Sequence, residues 1–296
     1  MTSHAYAAAP ERLVKEDSLF RKFGHWCRRD KRGATSLVVL LMIIAIAVFA
    51  PWVAPYSPTE QDYSKILLEP SMAHWLGTDD LGRDVLSRLI HGASKSVYAA
   101  FLAVGVALLI GVPVGLLAGF LGGWVDAGIS RVIDTLLSFP AIVLAVAVTG
   151  AMGIGLTNAM VSVGIVFSPH LARLIRARTL VVREELYVDA ARCFGAPISR
   201  ILVRHVTPNA IQPVIVQCTL LLAVALLAEA SLSFLGLGVQ PPDPSWGQML
   251  ARAYMNMEIA PEQMYAPGLA IMVTALTFNT LGESLRVALD PTMKGL

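Results

Sequence analysis

The chain has 296 residues, 55% hydrophobic and only 15% charged, with a formal net charge of +2 and a mean hydropathy of +0.63. Soluble domains carry about 25% charged residues, so this is a membrane-protein composition, and the small net charge gives no basis for nucleic-acid binding. Cys27, Cys193 and Cys218 stand too far apart for a metal motif or a disulfide framework, and no Gly-x-x-x-x-Gly-Lys-Ser/Thr phosphate loop occurs.

Residues 1-36 form a polar N-terminal segment, longer than the n-region of a signal peptide and without a small-residue cleavage site, so the apolar run that follows is expected to be a retained span. A helix needs about 20 apolar residues to cross a core of about 30 Å. No charge lies between Arg32 and Glu60, which places the first span over 37-56. Residues 57-96 are an extracytoplasmic loop with an interfacial helix, capped by Asp79 or Asp80, carrying Val85, Leu86, Leu89 and Ile90 on one face and an Asp84–Arg88 pair. The acids of this loop lack calcium-loop alternation, and no metal site is expected.

Span two runs from Val97 to about Gly122. Gly111, Gly115, Gly119 and Gly123 recur at four-residue spacing, a stripe that admits another helix at close range. Pro113 kinks this span unless neighbours satisfy the freed carbonyl. Thr135 to Ala172 is free of Asp, Glu, Lys and Arg. As one helix it would measure about 60 Å at ~1.5 Å per residue, so Gly150 to Asn158 is expected to turn it into a hairpin of spans three and four. Span five runs from about Pro208 to Leu235 and span six from about Pro267 to Leu285. Between them, "VQPPDPSWGQML" is a rigid segment with Trp246 placed for the membrane interface.

Six spans put both termini on one side. Eight Lys or Arg fall in the first 36 residues, and Arg173, Arg176, Arg178, Arg183, Arg192, Arg200 and Arg204 lie between spans four and five. Basic residues favour the cytoplasm, so these two segments are expected there. Arg131–Asp134 and Glu283–Arg286 are expected to pair at i,i+3. Glu229, alone in an apolar run, is expected to hydrogen-bond a neighbouring helix or loop. Gln217, Thr274 and Asn279 are candidates for a polar translocation path, or for hydrogen bonds between helices.

The stretch "REELYVDAARCFGAPISRILVRHVTPN" differs from everything around it. The spacing predicts a short helix over 184-195, with Tyr187, Ala190, Ala191 and Phe194 on one face and Glu185, Asp189 and Arg192 on the other. Gly195 suits the left-handed residue past a helix end, and Pro197 bars continuation. Such a helix either lies on lipid headgroups or docks in a cleft of a cytoplasmic partner, and its narrow, leucine-poor face favours docking.

Asp189-Ala190-Ala191-x-x-x-Gly195 followed by His205-Val206-Thr207-Pro208-Asn209 resembles the "EAA" loop of ATP-binding-cassette importer permeases. "HWLGTDDLGRDVLSRLIHGA", "EASLSFLGLGVQPPDPSWGQML" and "PGLAIMVTALTFNTLGESLRVALDP" resemble the dipeptide/oligopeptide/nickel subfamily, and the dipeptide and glutathione permeases in particular. Asp189 stands where Glu is usual, Thr207 where Leu is usual, and Glu283-Ser284 replaces Asp-Gly. The resemblance implies an all-α membrane protein of six spans, with a permease core over 97-291, a coupling loop over 173-207 and a short cytoplasmic tail, 292-296. It implies that Tyr187, Asp189, Ala190, Ala191, Arg192, Phe194 and Gly195 contact an ATPase subunit. The implied partners are a second homologous permease, two ATPase subunits that bind ATP and Mg, and an extracytoplasmic solute-binding protein for which the outer loops would be part of the platform; the chain itself would hold no cofactor and no catalytic residue, in a bacterial inner membrane. Two rivals are weaker. A secondary transporter calls for inverted repeats and mid-membrane coupling groups, and an intramembrane enzyme calls for a convergent site, which Ser168 and His170 around Pro169 do not make.

Overall fold

The computed structural model describes residues 30–289. The expected N-terminal segment, apart from 30–36, and the tail 292-296 lie outside the described residues. Within them every named element is helical, and the one β-bridge joins Thr78 to Asp84.

The first helix, α1 (Lys31–Val48), starts earlier than expected because Asp30 caps it, its carboxylate accepting the Gly33 N–H at 3.0 Å. Lys31 and Arg32 thus sit in the first turn, where sequence charge had marked a boundary. The Gly33 N–H and then the Ser284 hydroxyl, which donates to the other oxygen, hold the Asp30 carboxyl below the usual carboxylate range. A further turn, Ala50–Val53, follows with Pro51 near its start.

The expected interfacial helix and second span are one continuous helix, α2 (Val85–Leu121), of 37 residues, about 55 Å long at ~1.5 Å per residue. Asp84 caps it through the Ser87 N–H at 2.7 Å, so neither Asp79 nor Asp80 is the cap. The helix runs through Arg88 and Lys95, whose charges are met by other groups, and through Pro113 without a break. Gly122 and Gly123, at φ +67° and +55°, end it and turn the chain into α3 (Gly123–Leu137).

A bend of 96° separates α3 from α4 (Ala141–Met152), whose 12 residues measure about 18 Å, too short to cross alone. The expected third span is therefore a broken pair. Gly153 and Gly155, at φ +95° and +145°, form the expected turn into α5 (Leu156–Val182). After α6 (Leu186–Cys193) and a segment of short helical turns come α7 (Gln212–Phe234), α8 (Trp246–Met255) and α9 (Tyr265–Leu289). Among the described residues, five helices are long and apolar enough to cross a membrane, six with the bent pair counted as one.

The bundle closes around small side chains. On α2, Ala99, Ala103, Ala107, Gly111, Gly115 and Gly119 are all buried, and α5 lies along this face. A Cβ on Gly111 would stand 2.6 Å from the Ser168 carbonyl oxygen, on Gly115 2.3 Å from that of Ala172, and on Gly119 2.7 Å from the Thr179 Cβ. Three of the four stripe glycines thus receive the other backbone, as expected, while Gly123 serves the turn. Helix α7 packs against α9, α2 and α5, and α1 covers the outside of α9 and α2.

Replacing Gly115 by Ala should therefore force the helices apart at a cost of about 1–3 kcal/mol. Gly105→Ala, on the same helix with nothing within 4 Å of the added methyl, should be neutral or gain up to ~1 kcal/mol from helix propensity. Thermal unfolding in detergent measures both, and equal shifts for the two variants would contradict this packing.

Candidate functional site

Helix α6 sits at the end of the bundle where α2 and α5 finish and α7 begins. It is eight residues long, shorter than the expected 184-195, because residues 183–185 complete the turn leaving α5. Its exit is a Schellman cap. Ala196 N–H donates to the Ala191 carbonyl at 3.1 Å, Gly195 N–H to that of Arg192 at 2.9 Å, and Gly195 takes φ +74°. Pro197 then opens the next helical turn, Ile198–Ile201, and a π-helical turn over Leu202–Val206 follows.

One side of α6 is committed to the bundle. Val188 is fully buried in the same cluster as Val182, Ile201, Val206 and Ala210, and Ala191 packs against that cluster. The other side is bare, with Leu186 85% and Phe194 90% exposed and Ala190 and Cys193 open beside them. The expected face of Tyr187, Ala190, Ala191 and Phe194 is thus rotated. Ala190 and Phe194 face outward, Ala191 turns inward, and Tyr187 lies on the border near His205, ring centroids 6.5 Å apart. Slight burial, with the Glu185 carboxylate nearby, raises the Tyr187 phenol above its ordinary value. The outward stripe Leu186, Ala190, Cys193 was legible at i, i+4, i+7 but competed with the aromatic stripe one residue along.

The charges near α6 are largely spent inside the chain. Arg192 donates to Asp189 at 3.0 Å and lies 5.5 Å over the Phe120 ring. Arg183 donates to the Gly119 carbonyl at 2.9 Å. Arg176 holds Asp126, and Arg173 holds Asp134, so the expected Arg131–Asp134 pair is replaced by a bridge from α3 to α5. No ion pair joins Glu283 to Arg286 among the described residues; Ser284 of that turn faces Asp30 instead.

At the opposite end the two loops form one polar plate. Arg83 and Arg88 are almost fully buried, and both lie against Asp79, at 2.7 and 3.4 Å. Arg88 also donates to the carbonyls of Pro58 at 2.7 Å and Pro242 at 3.3 Å, and Arg252 on α8 donates to Asp80 at 3.0 Å. The expected Asp84–Arg88 pair does not form, since Asp84 is occupied by the helix cap and by His74 at 3.0 Å. Trp246 is not an interface residue. It is buried, donating its indole N–H to the Leu89 carbonyl at 2.9 Å. Glu229 accepts the Ser233 hydroxyl of its own helix at 2.9 Å and the Ser245 hydroxyl at the start of α8 at 2.8 Å, a side-chain contact in place of the expected loop backbone.

The candidate path residues differ in burial. Thr274 is buried with its hydroxyl on the Ala270 carbonyl at 2.7 Å, Gln217 is half-buried, and Asn279 is exposed.

Comparison with known proteins fits this architecture. Residues 111–295 match the family "Binding-protein-dependent transport system inner membrane component", and residues 18–70 match the N-terminal TM domain of oligopeptide transport permease C. The chain is 40% identical to the dipeptide transport system permease protein DppC of Alkalihalophilus pseudofirmus, over 99% of this chain and 97% of that protein. It is 42% identical to the glutathione transport system permease protein GsiD of Escherichia coli O6:K15:H31, over 96% and 95%. An inward-facing structure of the MetNI methionine ABC transporter superposes with a TM-score of 0.55 at 19% identity, covering 69% of this chain and 97% of that one, a likeness of fold. This chain belongs to the family of binding-protein-dependent transport system inner membrane components and is a multi-pass permease of the ATP-binding-cassette importer type, residing in the inner membrane.

Proposed function

We propose that this chain forms half of the membrane path of an importer for small peptides of the dipeptide or glutathione kind, and that α6 receives an ATPase subunit. The observation that carries the docking role is the two-sided character of α6: Val188 and Ala191 fasten one side to the bundle, while Leu186, Ala190 and Phe194 stand bare on the other. A small methyl between larger apolar side chains suits a peg that seats in a groove. Peptide cargo is supported by the relatives named for dipeptide and glutathione transport.

On this reading α6 and both termini face the cytoplasm, and the plate around Arg83 and Arg88 faces outward toward a solute-binding protein. The permease core spans 97-291. A second homologous permease completes the path, exposing Asn279 and Gln217 to it, and two ATPase subunits supply ATP and Mg chemistry that this chain lacks. Closure of those subunits pulls on α6, and Val188, Arg192 and the Schellman cap pass the displacement to the ends of α2, α5 and α7. An ion-coupled transporter has less support, since the family and the fold are those of an ABC importer.

Ala190→Trp is the direct test, because Ala190 is open and its replacement leaves the bundle untouched, unlike Ala191. In vesicles containing the full assembly, uptake of dipeptide or glutathione should fall about tenfold or more, the equivalent of ~1.4 kcal/mol of docking energy, with normal insertion of the chain. Native uptake by this variant would defeat the docking role. The purified chain alone should hydrolyse no ATP in a phosphate-release assay, and turnover above background would contradict the division of labour.

A further inference from the structure

The loop after α1 carries an apolar surface that neither the family assignment nor the proposed coupling explains. Trp52 is 77% exposed, Trp75 70% and Met72 95%, with Phe49, Val53 and Tyr56 also open. These residues form one neighbourhood although they come from two stretches. The Tyr56 hydroxyl donates to the Ala73 carbonyl at 2.9 Å, the Tyr56 and His74 rings lie 4.9 Å apart, and Phe49 and Trp52 are 5.8 Å apart. The turn 71–76 is held rigidly there. Its backbone closes through Ser71 N–H to the His74 carbonyl at 2.8 Å, and His74 is buried with Nδ1 3.0 Å from Asp84. Met72 and Trp75 are thus presented outward from a fixed base.

We propose that this surface is seated in the lipid headgroup and upper acyl region of the leaflet at the end of α1, so that the loop is a membrane-anchored strut. Depth argues for lipid over a protein partner. The 18 residues of α1 rise about 27 Å, close to the ~30 Å hydrocarbon core, with Lys31 and Arg32 at one boundary. Phe49 and Trp52 therefore stand at the other boundary. The short helix ends at Val53, and Tyr56, three residues on, holds the 71–76 turn beside it. Chemistry agrees: no charged residue occurs from 33 to 59 or from 70 to 78, and Trp, Tyr and Met are the amphipathic and pliable side chains suited to that zone.

Spin labels decide the matter. Met72→Cys touches nothing else in the chain, and Tyr63→Cys, on the same loop but bordered by Asp62 and Lys65, serves as the reference. Both are made in a chain with Cys27, Cys193 and Cys218 replaced by Ala. Each is labelled with a nitroxide in the full assembly, in vesicles of phosphatidylethanolamine and phosphatidylglycerol. The label at Met72 should collide more with oxygen than with a water-soluble nickel chelate, and that at Tyr63 the reverse. Preference for the nickel chelate at Met72 would overturn the proposal in favour of a water-facing loop. Protection from both quenchers would overturn it in favour of a protein partner covering the surface. A second label at Trp75→Cys must follow Met72, since a lone discordant site would mean that the two do not share a lipid contact.

Discussion

Two helices in this bundle touch backbone to backbone. Along α2, Ala103, Gly111, Gly115 and Gly119 stand against α5, and an added methyl at any of these three glycines would collide with α5. Lipid tails are as apolar as leucine, so burial of hydrocarbon does not bring helices together inside a bilayer. Close van der Waals contact does, and it needs side chains small enough to permit it. With α2 and α5 fixed as a pair, α7 finds a surface to pack on, α9 packs on α7, and α1 lies across the outside of α9 and α2.

The same pair sets both ends of the molecule. At the α6 end the last turn of α2 is the meeting point. Gly119 offers its carbonyl to Arg183, and Phe120 its ring face to Arg192. A guanidinium over an aromatic ring contributes about 0.5–1 kcal/mol at an exposed site, less than the burial of Val188, yet it fixes direction. Helix α6 is therefore tied to α2 through one side chain and to the start of α7 through another. At the opposite end α2 extends beyond the apolar zone and is held by paired charges. Buried guanidinium groups are costly unless matched, and Arg83 and Arg88 are matched by Asp79 and by carbonyls from both loops. The result is a plate of paired charges at one end of a bundle whose other end carries a small helix packed onto it through Val188.

Much of this was readable from residues alone. Charge-free lengths found the long helices, the glycine spacing found the face of α2 that another helix approaches closely, and Gly195 with Pro197 found the end of α6. The failures share a cause. Charges were taken as borders of helices, yet Arg88 and Lys95 lie inside α2 because partners distant in sequence, Pro58, Pro242 and Asp243, meet them. Pairings were sought within one helix, while Asp134 reaches Arg173 and Asp84 reaches His74 across the fold. Of the apolar face read on α6, Tyr187, Ala190 and Phe194 stand exposed while Ala191 packs on the bundle, because the positions of Val182, Ile201 and Val206 decide which side of the helix is covered. Trp246 was assigned to the interface by type, whereas its indole N–H finds the Leu89 carbonyl in the interior.

The inward commitment of Arg192 has an effect on α6 as a contact surface. With that guanidinium bound to Asp189 and laid over Phe120, the outward stripe of Leu186, Ala190, Cys193 and Phe194 carries no formal charge. A joint formed there holds by shape and apolar area, and mobile ions screen only the forces between charges. A contact confined to that stripe would change little in strength when a cell concentrates or dilutes its potassium during osmotic stress.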